Sequence, residues 1–130
     1  MVLVRQYRFG TERFSLEIPG GMADGAENPV EAGVRELREE TGYAGSRARE
    51  IGAVHPNPAI QSNVCHLILV EGVRLEAELS WDGHEELETV LMDVDDVLAL
   101  ARGGGITHAL VLDALFFFLP YWEELKNRGE

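Results

Sequence analysis

Three glutamates lie close together in a segment whose spacing predicts a helix. Glu36, Glu39 and Glu40 are three and four residues apart, so a helix places them on one face. Like charges at these spacings repel by roughly a few tenths of a kcal/mol per pair, and only Arg35 and Arg38 are close enough to offset them. Mg²⁺ and Mn²⁺ prefer carboxylate oxygens, and Mg²⁺ often shares its shell with substrate phosphate. The spacing alone leaves two interpretations, a divalent-metal site and a solvated acidic face.

The predicted helix covers residues 29–41 and has recognisable ends. Asn28 is a favoured N-cap, Pro29 suits the first helical position, and Gly42 suits a left-handed C-cap. Three apolar residues at helical spacing predict the face that packs against a core: Val30, Val34 and Leu37.

The rest of the chain reads as short strands and two further helices in one α/β domain over residues 1–130. Alternating apolar residues predict strands at 2–9, 14–18, 51–54, 64–70, 73–79 and 87–92. Two more helices are predicted at 94–101 and 107–119. Pro120 should kink or end the second of these.

Composition limits the classes of function. Eleven Lys and Arg against 23 Asp and Glu give a net charge of −12, which repels nucleic-acid phosphates. The strongly apolar stretch at 110–119 is short and contains Asp113, so no membrane span is expected. A single cysteine, Cys65, cannot form an internal disulfide, which favours a reducing, cytoplasmic setting.

A longer motif surrounds the three glutamates. From Gly21 the residues follow the pattern Gly-x5-Glu-x7-Arg-Glu-U-x-Glu-Glu-x-Gly-U, where U is a bulky aliphatic residue. Eight of these nine specified positions agree, and the ninth carries Tyr43. The segment therefore resembles the signature of the Nudix hydrolases.

The resemblance implies a fold, an activity and a ligand set. The fold would be a Nudix-like α/β/α sandwich with a mixed β-sheet, short at its N-terminal side. The activity would be hydrolysis of a nucleoside diphosphate linked to another group, with Mg²⁺ or Mn²⁺ as cofactor. Arg35 would pair with the acids, and Glu27 would brace the loop or reach the metal through water. The metal ligands on this segment would be the Gly20 carbonyl, Glu36, Glu39 and Glu40.

Three further features resemble the branch of the family that acts on ADP-ribose and nucleoside diphosphate sugars. Residues 4–8 match a strand ending in Gln-x-Arg, which makes Arg8, and with it Arg5, candidates for substrate contacts. Glu17 precedes the Pro-Gly-Gly segment and is a further candidate. Pro58 stands 15 residues past the signature, where that branch carries a proline. Ordinary edge-strand charge and loop geometry remain the alternatives for the arginines and Pro58.

A second acidic run, at residues 82–87, matches the loop that supplies another metal ligand and often the general base in that branch. Glu85 matches the metal-ligand position best. The expected position of the base falls on Gly83, so Asp82, Glu85 and Glu86 all stay open for that role.

Other functions and the assembly state also stay open at this point. A nucleoside triphosphate or a dinucleoside polyphosphate is the alternative small-molecule substrate, and a non-catalytic ligand-binding module is the alternative class. The strand at residues 2–7 has no earlier strand to cover it, and an uncovered edge tends to recruit a neighbour. The run of five apolar residues at 115–119 makes its helix apolar all round. Both features predict a homodimer.

Overall fold

The computed structural model describes residues 1–77 and 87–129. Within these residues there are seven strands and three helices. The strands are β1 (Val2–Arg8), β2 (Arg13–Glu17), β3 (Tyr43–Ala44), β4 (Arg47–Val54), β5 (Cys65–Glu71), β6 (Arg74–Leu75) and β7 (Glu88–Leu91). The helices are α1 (Pro29–Thr41), α2 (Val94–Arg102) and α3 (Ala109–Asn127).

The β4–β5 hairpin lies between two helices. Gly33 of α1 packs against Ile68, and Gly52 of β4 packs against Phe117 of α3. Gly52 is paired with Leu67, so it shares a face with Leu67, while the adjacent Ile68 points to the other face. The two helices therefore cover opposite faces of this hairpin, which confirms the α/β/α layering.

Strand β1 is the central strand of a three-stranded sheet. It pairs antiparallel with β2 on one side and with β7 on the other. The expectation that β1 leaves a bare edge is therefore wrong. Residues from the far end of the acidic loop return to pair with it, Val2 opposite Leu91, and the N-terminal amine donates to the Met92 carbonyl at 2.8 Å.

The main core lies between this sheet and the helices α2 and α3. Its buried residues are Leu3, Val97, Leu98, Ile106, Val111 and Leu115. All strand pairs in the described residues are antiparallel, in three small sheets, whereas one mixed sheet was expected. The α/β class is confirmed.

Helix α1 has the predicted ends and a shifted buried face. The Asn28 side chain accepts from the Val30 amide at 2.8 Å, which confirms the N-cap. Gly42 ends the helix at φ 79°, a left-handed conformation that favours glycine. Leu37 is buried as predicted, but Val34 is only half-buried like Val30. The close contact with the sheet is made through Gly33, because its missing side chain lets α1 approach Ile68.

Helix α3 continues past Pro120, so the alternative that this proline ends the helix is wrong. Proline removes the hydrogen bond to the carbonyl four residues earlier, that of Phe116. Both residues are solvent-exposed, so water can replace the lost donor. No helix in the described residues is long and apolar enough to cross a membrane.

Candidate active site

Two signature glutamates converge on the Gly20–Gly21 dipeptide that precedes α1. The Gly20 amide donates to Glu40 Oε2 at 3.1 Å. A Cβ built on Gly21 would stand 2.3 Å from the Glu36 carboxyl carbon, so no other residue fits there without displacing that carboxylate. The glycine pair thus brings the loop backbone against Glu36 and Glu40, which are half-buried on one face of α1.

Arg35 connects the acids of this segment. It donates to Glu27 through two nitrogens at 2.9 and 3.0 Å, and to Glu36 and Glu39 at 3.0 Å each. Asp24 lies at 3.6 Å from the same guanidinium. The hydrogen bond with Glu27 is the main cause that raises the pKa of Arg35, and the bond from Arg35 lowers the pKa of Glu27. One cation here serves four carboxylates.

The Arg35 network fits the expected role of Arg35 and Glu27 in bracing the loop. The same guanidinium also donates to the Met22 carbonyl at 3.0 Å, so it ties the loop backbone to the helix. Glu39 is the most exposed of the three signature glutamates, with 58% of its side chain accessible.

A second ion pair joins β1 to β2. Arg8 donates to Glu17 through Nε at 2.8 Å and Nη2 at 2.6 Å, and the Glu17 side chain is 5% exposed. Burial alone would raise the pKa of the Glu17 carboxyl, but hydrogen bonds from Arg8 and Ser15 hold it below its ordinary value. The bond to Glu17 raises the pKa of Arg8, and the charge of Glu40 adds to this effect. Arg8 is therefore within electrostatic reach of α1.

The other two predicted substrate contacts lie apart from this pair. Arg5 is an odd number of residues from Arg8, so its side chain points to the opposite face of β1. There it lies over the Phe14 ring at 4.5 Å and 3.5 Å from Glu88. Pro58 is exposed in a turn of the 55–64 loop. The structure brings together Arg8 and Glu17 but not Arg5 and Arg8.

The acidic run that would supply Glu85 and the general base lies outside the described residues, at positions 82–86. The chain that leads into it is anchored to the end of α1. Arg38 pairs with Glu76 at 2.6 Å, and the Gly42 carbonyl accepts from the amides of Glu76 and Ala77 at 2.9 and 3.2 Å.

Two glutamates on α1 have the ligand chemistry that a hard divalent cation prefers, and they lie beside the same glycine pair. Glu36 and Glu40 offer carboxylate oxygens beside one glycine pair, and such oxygens are what Mg²⁺ and Mn²⁺ prefer. No three acidic, histidine or cysteine side chains in the described residues already form a metal-binding group. Arg35 holds Glu36 and Glu39 in ion pairs at 3.0 Å each.

Sequence reasoning missed the residues just before α3 that share a cleft with the Arg8–Glu17 pair. Thr107 and His108 line a cleft together with Arg8, Ser15 and Glu17. The histidines have no metal-ligand spacing, so no pattern singled out His108. The one available signal was the position of Ser15 two residues before Glu17, which places both on the same strand face.

Comparison with known proteins identifies the family of this fold and site. A family model described as NUDIX domain matches residues 1–115. The chain belongs to the Nudix family.

Individual relatives fall in the branch that the strand motif resembles. The ADP-ribose pyrophosphatase of Bacillus subtilis (strain 168) is 33% identical over 103 residues, which cover 78% of this chain and 56% of the relative. The ADP-sugar pyrophosphatase of Mus musculus is 31% identical over 88% of this chain and 55% of its own length. The chain thus spans slightly more than half the length of these relatives.

A solved structure has the same fold. The structure titled "Crystal structure of ADP compounds hydrolase" superposes with a TM-score of 0.81 at 27% identity, covering 98% of this chain and 67% of that one. This match confirms the Nudix-like fold over nearly all of this chain.

Proposed function

We propose that this protein is a divalent-metal-dependent hydrolase of ADP-ribose or a related nucleoside diphosphate sugar. The observation that carries the proposal is the convergence of Glu36 and Glu40 on the Gly20–Gly21 backbone, with Arg8 in electrostatic reach. The carboxylates suit a divalent metal ion, and the guanidinium suits the phosphate groups of a diphosphate bound with that metal. The products would be a nucleoside monophosphate and a sugar phosphate.

The roles of the residues follow from their chemistry. Glu36 and Glu40 would hold Mg²⁺ or Mn²⁺, with Glu39 and the Gly20 carbonyl as further ligands implied by the signature and Glu85 as one implied by the second acidic run. The metal, when bound, neutralises phosphate oxygens and lowers the pKa of a bound water. Arg35 fixes the glutamates and the loop, so their positions are set before substrate binds.

Arg8 would contact a phosphate of the substrate. Glu17 holds its guanidinium side-on through Nε and Nη2, and the Gln6 amide oxygen lies 3.1 Å from Nη1, so all three nitrogens have a neighbouring acceptor. An arginine held in this way loses little conformational freedom when it binds an anion.

The relatives support this substrate class. Two of those compared are named for ADP-ribose and for ADP-sugar pyrophosphatase activity, and the solved structure is titled for ADP compounds. Their names describe those proteins, and the transfer to this chain is part of the proposal.

A substrate panel tests the proposal. Purified protein is assayed for phosphate-monoester release from ADP-ribose, other nucleoside diphosphate sugars, ATP and a dinucleoside polyphosphate, with Mg²⁺, with Mn²⁺ and with chelator. We expect ADP-ribose or a nucleotide sugar to give the highest kcat/KM, and chelator to abolish turnover. Preference for ATP or a dinucleoside polyphosphate would move the protein to the alternative substrate class. No hydrolysis with either metal would favour a ligand-binding module.

We propose in addition that the protein is a homodimer and works in the cytoplasm. The exposed face of α3 supports the dimer, because Phe116 is 73% and Leu112 38% exposed one helical turn apart. The free cysteine Cys65 is consistent with a reducing compartment. Sedimentation at micromolar concentration tests the dimer, and a species of 14.4 kDa would contradict it.

A further inference from the structure

The cleft between the β1–β2 hairpin and the start of α3 has the size and lining of a small-molecule site. Its volume is about 430 Å³, within the range of roughly 300–1,000 Å³ typical of ligand pockets. Glu17, a carboxylate with only 5% of its side chain exposed, is part of its wall. Burying a charged group is costly, and the ion pair with Arg8 offsets that cost, so the cleft wall carries a fixed pair of opposite charges.

The polar groups around the cleft are complementary to a sugar phosphate. Arg8 supplies a guanidinium that suits a phosphate, and the oxygens of Glu17 have lone pairs left to accept from hydroxyl groups. Thr107 adds a hydroxyl that can donate and accept, and the Ser15 hydroxyl, which donates to Glu17, can still accept. A nucleobase needs a flat apolar surface, and the one aromatic side chain in the lining is Phe9, which is 86% exposed.

His108 provides a directed donor at this cleft. Its Nδ1 accepts from the Leu110 amide at 3.1 Å and so caps α3. In the neutral imidazole the other nitrogen then carries the proton, which makes Nε2–H a donor. His108 and Glu17 both line the cleft, so the two side chains border the same space.

The cleft adjoins the proposed diphosphate site. Glu17 in the wall of the cleft lies three residues before Gly20, whose amide donates to Glu40 on α1, and the charge of Glu40 contributes to the raised pKa of Arg8. A diphosphate held beside Glu36 and Glu40 would therefore extend one of its two substituents past Arg8 into the cleft.

We propose that this cleft binds the sugar-phosphate half of the substrate, with Ser15, Thr107 and His108 as residues that recognise its hydroxyl groups. This inference rests on the proposed function and adds to it the half of the substrate that each region holds. The three residues would be specificity-determining contacts, because they line the cleft and are not among the residues proposed to hold the metal.

Direct binding of the two products tests the assignment. The dissociation constants of ribose 5-phosphate and of AMP are measured by calorimetry with Mg²⁺ for the wild type and three variants, Ser15→Ala, Thr107→Val and His108→Asn. Asparagine keeps a side-chain acceptor for the helix cap but removes the Nε2 donor. Ser46→Ala, which removes a hydroxyl from the β3–β4 turn, is the matched control.

We expect each cleft variant to bind ribose 5-phosphate about 3- to 10-fold more weakly, the range of one neutral hydrogen bond. AMP binding should stay within about twofold, and the Ser46→Ala control should match the wild type for both ligands. Weaker AMP binding with unchanged ribose 5-phosphate binding would overturn the proposal and assign the cleft to the nucleoside half. Equal weakening of both ligands, or no change in either, would also overturn it.

The two proposals can fail separately. If ADP-ribose is hydrolysed but the variants leave ribose 5-phosphate binding unchanged, only the assignment of the cleft is wrong. If ribose 5-phosphate binding depends on the cleft residues but ADP-ribose is not hydrolysed, the cleft is a sugar-phosphate site and the proposed reaction is wrong.

Discussion

Two arginines organise the candidate site in opposite ways. Arg35 contacts Glu27, Glu36 and Glu39 at 2.9 to 3.0 Å and lies near Asp24, so one positive charge faces four negative ones. Arg8 is joined side-on to a single carboxylate, that of Glu17, which is almost completely buried.

This difference in charge predicts a different role for the Arg35 cluster and for the Arg8–Glu17 pair. The Arg35 cluster has negative charge in excess, and a dication would relieve the remaining repulsion. The Arg8–Glu17 pair has one positive and one negative charge, so it needs no further ion. Its role is to hold the Arg8 guanidinium in one orientation. We therefore expect changes in the first region to act through metal and turnover, and changes in the second to act through substrate affinity and stability.

The largest effect is expected from Glu40→Gln, which removes one charge from the acidic cluster but keeps the size of the side chain. Turnover should fall by on the order of 10²-fold or more, because a proposed metal ligand is lost. The fold should survive, since a repulsion is relieved. Steady-state kinetics with ADP-ribose and a thermal melt measure the two outcomes.

Glu31→Gln is the matched control for that variant. Glu31 is on the same helix, nine residues before Glu40, which places it on the opposite side, and it is exposed. Its turnover should equal that of the wild type. Near wild-type turnover in Glu40→Gln would contradict the assignment of Glu40.

A smaller effect is expected at the balanced pair. Arg8→Ala removes a ground-state phosphate contact, so KM for ADP-ribose should rise by about tenfold while kcat changes less. Arg5→Ala is the matched control, because Arg5 is on the same strand but the opposite face, beside Phe14 and Glu88. A rise in KM for the Arg5 variant as large as for the Arg8 variant would show that both strand faces reach the substrate.

The local parts of this site could be predicted from the sequence. The caps of α1 depend on Asn28 and Gly42, whose preferences come from their own side chains and backbone. The signature fixes which acids share a face of the helix, since helical spacing is a local rule. The alternation along a strand also predicts that Arg5 and Arg8 point apart, although the resemblance grouped them as substrate contacts.

The parts that depend on distant segments could not be predicted in this way. The pairing of β1 with β7 joins residues near 2 and 91, and it removed the bare edge on which part of the homodimer prediction rested. The cleft likewise needs the β2 strand and the start of α3 to meet at Ser15, Glu17 and His108. No periodic pattern in the sequence predicts either contact, because each depends on how distant strands and helices pack together.

The excess of charge around Arg35 can be tested without activity. Arg35→Gln leaves the surrounding carboxylates without their shared cation, so the thermal midpoint without metal should fall by a few degrees. Adding Mg²⁺ should then raise the midpoint more than in the wild type, since the freed carboxylates bind the ion more readily. Arg38→Gln is the control, because Arg38 is on the same helix as Arg35 but pairs with Glu76, which is outside the helix. An equal response to Mg²⁺ in all three proteins would contradict the idea that Arg35 competes with metal.

The smallest effect is expected in the pH dependence of the stability that the Arg8–Glu17 pair contributes. Hydrogen bonds from Arg8 and Ser15 hold the pKa of Glu17 below its ordinary value despite burial, so its ionised form stabilises the fold. A carboxyl with a lowered pKa contributes stability above its unfolded pKa of about 4.3, and this contribution is lost as the pH falls through the folded pKa. Glu17→Gln cannot ionise and should be less stable than the wild type at pH 7.

This stability gap should narrow as the pH falls below about 4.3, because the wild type then loses the same charge that the variant lacks. Urea unfolding at a series of pH values measures the gap. Glu31→Gln removes an exposed carboxyl and should follow the wild-type curve throughout. A gap that stays constant down to acid pH would mean that the Glu17 charge does not stabilise the pair. In that case the orientation of Arg8 would not depend on an ionised Glu17. The Arg8–Glu17 pair would then be held by packing, unlike the Arg35 cluster, which is held by charge.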